Sequence, residues 1–235
     1  MNIIAFDTAT DTFSIGLSAG NQSFFFSIDG AQKHSELIMD SADTLLRIAG
    51  IVKADLEAVA CMEGPGSFTG LRIGFAAAKG LALALDIPII PVPTLDCMAS
   101  PFSFLPGNVL PVIDAKKKAF FTALYCKGER LTDYFDMEIE TLIKTIETTC
   151  KKQKHSSPGL LVTGPAAPMV FPAIQAAFPG AVADSNNKRG HAAELLKFAL
   201  ERYIISTDKE NYAKGPLYLR LSDAELNVSM GNQDG

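Results

Sequence analysis

Hydrophobic positions change period along the chain, and those changes mark out its elements. From Asn2 to Asp7 the residues are apolar almost without a break and end on a carboxylate, as a buried strand does. Thr12 to Ser18 alternates, with Phe13, Ile15 and Leu17 on one face. Ala19-Gly-Asn-Gln22 is then a hairpin signal into a third strand, Ser23–Ile28. The period lengthens next. Leu37, Ile38, Ala42, Leu45, Leu46 and Ala49 recur at helical spacing over His34 to Ala49, and Gly50 supplies the stop. Leu56–Met62 reads as a short buried strand. A Gly-Pro-Gly turn leads from it into a helix over Phe68 to Leu85, and Ile87–Val92 is another apolar strand ending at Pro93.

The order of elements then repeats in looser form. Val109–Asp114 is apolar and ends on a carboxylate, as Ile3–Asp7 does. Ala119–Cys126 and Arg130–Met137 read as its next two strands, Glu138–Lys152 as a helix, and Leu160–Thr163 as a strand. Helices are predicted over Pro165–Phe178 and His191–Ile205. The pattern predicts two related α/β halves, residues 1–106 and 107–225, with a polar tail at 226–235. A single irregular α/β domain is the alternative.

Of the 235 residues 48% are apolar, which excludes disordered, collagen-like and low-complexity classes. The 21 Lys+Arg against 26 Asp+Glu leave a net charge of −5, which argues against a surface that grips nucleic acid throughout. The longest uncharged stretches, Thr12–Ile28 and Cys97–Ile113, are broken by Gly, polar residues or Pro, so no membrane span is expected. Met1 is followed at once by a strand pattern, without a basic leader, so no secretory signal is read. The four cysteines, Cys61, Cys97, Cys126 and Cys150, are scattered with no CxxC pair, as expected for buried thiols in a reducing, cytoplasmic setting.

Four features could carry chemistry. Asp7-Thr-Ala-Thr10 sits where open α/β sheets place ligands, yet Ala9 stands where a phosphate-clamping turn wants glycine. Two readings stay open for it, the closure of a hairpin and a vestigial nucleotide site. Glu63-Gly-Pro-Gly-Ser-Phe-Thr-Gly-Leu-Arg-Ile-Gly74 offers Ser67 as a helix cap but lacks the Gly-Lys-Ser/Thr ending of a P-loop. Gly70 and Gly74 are four apart, as are Ala76, Gly80 and Ala84. Because Gly costs about 1 kcal/mol relative to Ala inside a helix, another backbone is expected close by, from this chain's own sheet or from a partner chain. His34, His155 and His191 are the only histidines. An HxxxH pair would need histidine at position 38, where Ile38 stands, so no metal site is expected. The runs Lys116-Lys-Lys118, Lys151-Lys-Gln-Lys154 and Lys188-Arg189 are short and lack interleaved aromatics. They read as solvated loops and a helix end, with weak RNA contact an alternative for the first.

Several segments together resemble one family. They are Ile4-Ala-Phe-Asp-Thr-Ala-Thr10, His34-Ser35, the glycine motif to Gly74, Lys79-Gly-Leu-Ala82, Thr94-Leu95, Ile113-Asp-Ala115, and Pro216-Leu-Tyr-Leu-Arg220 with Ala224-Glu225. The chain resembles the TsaB (YeaZ) family of bacterial tRNA threonylcarbamoyladenosine (t6A) biosynthesis proteins. It departs at Lys116–Lys118, where relatives more often have one basic residue and a Gly. The resemblance implies an α/β, actin-like (ASKHA, RNase H-like) duplicated fold, each half a mixed sheet flanked by helices. It further implies a non-catalytic scaffold or regulator, without an intrinsic cofactor and reaching tRNA only through its complex. The partners would be a TsaD-like subunit, which carries HxxxH and the active site, and a TsaE-like ATPase. TsaD transfers threonylcarbamoyl from its adenylate to N6 of the adenosine 3′ of the anticodon.

Two rivals are an actin-like small-molecule kinase, with Asp7 and Asp114 as metal or general-base carboxylates, and a peptidase, for which no nucleophile constellation is visible. Asp7, Thr8, Thr10, Asp114 and Gly164 are the candidates for a vestigial nucleotide site, with ATP or ADP bound weakly or only with the partner. The helices over His34–Ala49 and Phe68–Leu85 are more apolar than one core-facing stripe requires. They predict a helical-bundle interface using Leu37, Ile38, Leu45, Leu46, Gly70, Arg72, Gly74, Ala77 and Leu81. It would form a homodimer when the chain is alone and a pseudo-symmetric heterodimer with the partner.

Overall fold

The structure is a computed structural model describing residues 1–30, 33–152, 159–205 and 215–220. His155, the end of the Lys151–Lys154 run, Ala224-Glu225 and the tail 226–235 lie outside the described residues.

The first half builds one sheet. Strands β1 (Ile3–Asp7), β2 (Phe13–Ala19) and β3 (Gln22–Ile28) form an antiparallel meander, and β4 (Ala58–Gly64) and β5 (Ile89–Pro93) join parallel to β1. The order is β3-β2-β1-β4-β5. Helix α1 (His34–Ala49) carries Glu36 in its first turn and Arg47 in its last, each sign matching the helix dipole. It ends at Gly50, whose left-handed φ of 71° lets its N–H reach back to the last turn. Helix α2 (Phe68–Leu85) starts on Ser67, whose hydroxyl accepts from the Gly70 N–H at 3.3 Å, the cap expected from sequence.

The second half repeats this order. β6 (Asn108–Asp114) is flanked antiparallel by β7 (Ala119–Thr122) and then β10 (Phe135–Glu138). On its other side β11 (Leu160–Thr163) and β12 (Ala181–Ala183) run parallel, giving β10-β7-β6-β11-β12. Equal order and equal strand polarity in two sheets mark a duplication, the topology the resemblance implies.

Two expected strands are each broken. Ala119–Cys126 divides into β7 and β8 (Tyr125–Cys126), and Arg130–Met137 into β9 (Glu129–Arg130) and β10. The breaks fall at Ala123-Leu124, between the stretches of β6 that pair with β7 and with β8, and at residues 131–134, while a tight hairpin at Lys127-Gly128, both at positive φ (51° and 82°), pairs β9 with β8. The short helix α3 (Thr94–Ala99) and strand β12 carry too few residues to show a period.

The sheets follow chain order, but the helices cross between them. α1 and α2 cover one face of the first sheet, packing Ile38, Leu45, Leu46, Phe75, Ala78 and Leu81 against Phe6, Ile15 and Val59. Its other face is covered by α6 (Ala192–Ile205), through Leu195, Leu196 and Ala199. In exchange, α3 packs Leu95, Met98 and Ala99 against Val109 and Ile113 of the second sheet. The opposite face of that sheet carries α4 (Ile139–Lys152) and α5 (Ala167–Ala177) through Leu142, Ile146, Val170 and Ile174.

By length and composition α2 is apolar enough to cross a bilayer, which corrects the expectation that no segment is. Arg72 and Lys79 hid it from a search for uncharged stretches. In the fold one side of this helix is core: Leu71, Phe75, Ala78 and Ala82 are each 3% exposed or less.

Candidate functional site

A cleft of about 570 Å³ opens where the two halves meet. Its walls are the β1–β2 turn (Ala9, Thr10, Asp11), the entry to α2 (Pro65 to Phe68), the β6–β7 turn (Asp114 to Lys117), the entry to α5 (Pro165, Ala166) and residues 217–220. The duplication places matching turns opposite each other. Asp7 and Asp114 end the first strand of each half. Gly64-Pro65 closes β4 and Gly164-Pro165 follows its counterpart β11, both glycines at positive φ (117° and 94°). Gly-Pro at equivalent places was the overlooked sequence signal for the second wall.

The five nucleotide-site candidates do not converge. Asp7 is 2% exposed and turned away from the cleft. Its carboxylate accepts from Ser14 Oγ at 3.0 Å, the His191 N–H at 2.9 Å and the Ala9 N–H at 3.3 Å. Ser14 Oγ in turn accepts from the Ala192 N–H at 3.1 Å, so this pair docks the start of α6 onto β1 and β2. Thr8 donates to the Gly70 carbonyl at 2.7 Å and is also buried. Gly164 packs on β6, where a Cβ would meet the Val112 carbonyl at 2.6 Å. Only Thr10 and Asp114 line the cleft.

Asp114 is bound to Lys116 through the backbone N–H at 2.7 Å and through Nζ at 2.8 Å. Burial alone would raise its carboxyl, but these hydrogen bonds and the Lys116 charge prevail and hold it below the usual range. The turn that presents it is strained. Lys116, Lys117 and Lys118 all have positive φ (63°, 52° and 63°), the region glycine occupies without penalty.

The first turn is closely packed. The α2 entry presses directly on it: Ser67 N–H donates to the Ala9 carbonyl at 2.7 Å, and a Cβ on Gly66 would lie 2.5 Å from that oxygen. The Ser67 N–H is thus bound to Ala9 and the Gly70 N–H to Ser67 Oγ, and no glycine lets the turn back away. With the Asp7 carboxylate committed to α6, the kinase reading loses one of its two carboxylates, while Asp114 still lines the cleft. Among the described residues no group of three or more His, Cys, Asp or Glu is placed to hold a metal ion. Burial pushes the thiols of Cys61 and Cys97 well up, which keeps both protonated and inert.

This geometry makes a test of Asp7. Asp7→Ala should strip acceptors from two buried backbone N–H groups and one hydroxyl, at a cost of about 2–4 kcal/mol. Urea unfolding should show the loss, with α6 amides the first to exchange. A variant as stable as the parent would mean that the carboxylate does not anchor the helix.

The proposed interface positions also separate. Ile38, Leu45, Leu46 and Leu81 are core, 3–8% exposed, which corrects their assignment to an interface. Gly70 and Gly74 are corrected likewise: a Cβ on either would collide with Thr8, so these glycines serve the chain's own strand-to-helix contact. Leu37 and Ala77 are half-buried, and Arg72 is exposed. The other small-residue stripe faces outward. Ala76, Gly80, Leu83 and Ala84 are exposed on α2, with Leu83 at 66%, and a Cβ on Gly80 would meet nothing within 4 Å. Ile48 at 61% and Val52 at 62% are further exposed apolar residues, at and beyond the end of α1.

Two sheets of one topology around a central cleft, with the first turn packed against the α2 entry, define a two-lobed protein of the actin-like fold. The family model described as "TsaD: tRNA N6-adenosine threonylcarbamoyltransferase" matches residues 29–206, and the chain belongs to the TsaB (YeaZ) family of tRNA threonylcarbamoyladenosine biosynthesis proteins. It is 36% identical over 126 residues to the Bacillus subtilis protein TsaB, covering 53% of this chain and 55% of that one. To the Escherichia coli TsaB it is 37% identical over 132 residues, covering 55% and 57%. The chain thus spans about half the length of the curated relatives it matches. YeaZ from Pseudomonas aeruginosa superposes with a TM-score of 0.74 at 23% identity, over 93% of this chain and 99% of that one, a likeness of fold.

Proposed function

We propose that the chain is a non-catalytic subunit of t6A synthesis, acting in the cytoplasm, that binds and activates a TsaD-like partner. The observation that carries this reading is the exposed stripe Ala76-Gly80-Leu83-Ala84 on α2, with Ile48 exposed on the adjoining α1. Contiguous apolar surface of this kind marks an interaction site, and small residues permit close helix approach. Family membership supplies the kind of partner: a homologous TsaD-like subunit, with a TsaE-like ATPase completing the complex and tRNA met through it. When the partner is absent, the same face pairs with a second copy of this chain.

Co-purification with TsaD-like and TsaE-like proteins tests the proposal, followed by a tRNA modification assay with and without this chain. Retention of the TsaD-like protein and a large fall in modification on omission are expected. Full modification without the chain would overturn the activating role.

The closed first turn gives a second expectation. The chain alone should bind ATP weakly or not at all, with any firm nucleotide site completed by the partner. Calorimetry should show no heat at micromolar ATP with magnesium. A micromolar constant for the isolated chain would contradict this reading.

A further inference from the structure

One short segment touches both halves across the mouth of the cleft. At residue 217 it holds to the first half: Leu217 N–H donates to the Glu63 carbonyl at 2.6 Å. Gly64 makes room for this, since a Cβ there would lie 2.5 Å from the Leu217 carbonyl oxygen. At residue 218 the Tyr ring lies 4.9 Å from the Phe68 ring. Arg72 stacks on Phe68 and donates from Nε to the Tyr218 hydroxyl at 3.1 Å. Two residues further the segment holds to the second half. Arg220 makes a bidentate pair with Asp136 of β10, both bonds 2.7 Å, and donates to the Ala115 carbonyl at 3.2 Å in the β6–β7 turn. Leu217, Tyr218, Leu219 and Arg220 all line the cleft.

We propose that residues 215–220 form a clasp that ties the halves together across the cleft, and that release of Arg220 from Asp136 opens the cleft to larger molecules. A planar guanidinium on a carboxylate holds direction as well as charge, so the pair fixes where β10 sits relative to the entry of α2. The Ala115 carbonyl extends the same hold to the turn bearing Asp114. The clasp therefore joins opposite cleft walls within four residues, with the Arg220–Asp136 pair the charged hold at its second end. This inference stands apart from the t6A reading and survives or fails without it.

Hydrogen exchange on the full chain tests the proposal. Arg220→Ala and Asp136→Asn should each speed exchange of the Leu217 amide by about tenfold, with no further gain in the double variant. Asp136 lies in the other half from Glu63, so a tail held only by the first half would leave the Leu217 amide unchanged in Asp136→Asn. That result would overturn the clasp. The charge swap Asp136→Arg with Arg220→Asp should restore protection, which separates a lost pair from a damaged fold. Access is read independently through Thr10→Cys on the cleft wall. A bulky fluorescein maleimide should label it about tenfold faster once Arg220 is Ala, while small N-ethylmaleimide changes little. Equal labelling rates for the bulky reagent would show that the clasp does not control entry.

Discussion

Gly70→Ala is expected to destabilise the chain by about 2 kcal/mol or more, although alanine is the better helix former by about 1 kcal/mol. The added methyl would be driven into the Thr8 carbonyl oxygen, part of a rigid backbone turn that has no rotamer to yield. Moving Thr8 would also break its hydroxyl bond to the Gly70 carbonyl and shift Asp7, which docks α6. Gly74→Ala meets the Thr8 side chain instead, which can rotate away, so a smaller loss follows. Gly80→Ala has open space around it and should stabilise by about 0.5–1 kcal/mol through helix propensity alone. Urea midpoints of the three variants should therefore rank Gly80→Ala above the parent and Gly70→Ala lowest. A Gly70→Ala chain as stable as the parent would mean that α2 does not lie against the first turn as described.

The three glycines show what the sequence could and could not convey. Four-residue spacing of small residues announces that something comes close to the helix, but it does not say on which side. Two stripes share α2, and only packing separates Gly70 and Gly74, against Thr8, from Gly80 in the open. The first half was legible because period 2 in β2 reads as a strand, although the fold buries both its faces, and the helical period in α1 matches an amphipathic helix. The second half was less so, since the breaks at Ala123-Leu124 and at residues 131–134 carry no Gly or Asn-Gly turn signature. Periodicity also records that α6 has an apolar face without naming the sheet that receives it. The purpose of Asp7 was hidden for a related reason. A carboxylate at a strand end looks the same whether it awaits a ligand or meets the backbone of His191, 184 residues away.

Leu83→Glu is expected to abolish pairing on the α1–α2 face while leaving the fold intact. At 66% exposure Leu83 contributes little to the core, so stability should stay within about 0.5 kcal/mol of the parent. Seated against an apolar partner helix, the new carboxylate would be desolvated without a counter-charge. A cost of about 3 kcal/mol corresponds to roughly 150-fold weaker association. Ile48→Glu, exposed at 61% on α1, should act in the same direction. Leu45→Ala is the informative contrast, because Leu45 is 4% exposed and part of the core under α1. It should cost about 2–5 kcal/mol of stability and affect pairing only through partial unfolding. Light scattering at tens of micromolar reads self-pairing, co-purification reads retention of a TsaD-like partner, and urea unfolding of the same variants reads the fold. If Leu83→Glu pairs as the parent does in both association assays, the exposed stripe on α2 is not the docking face.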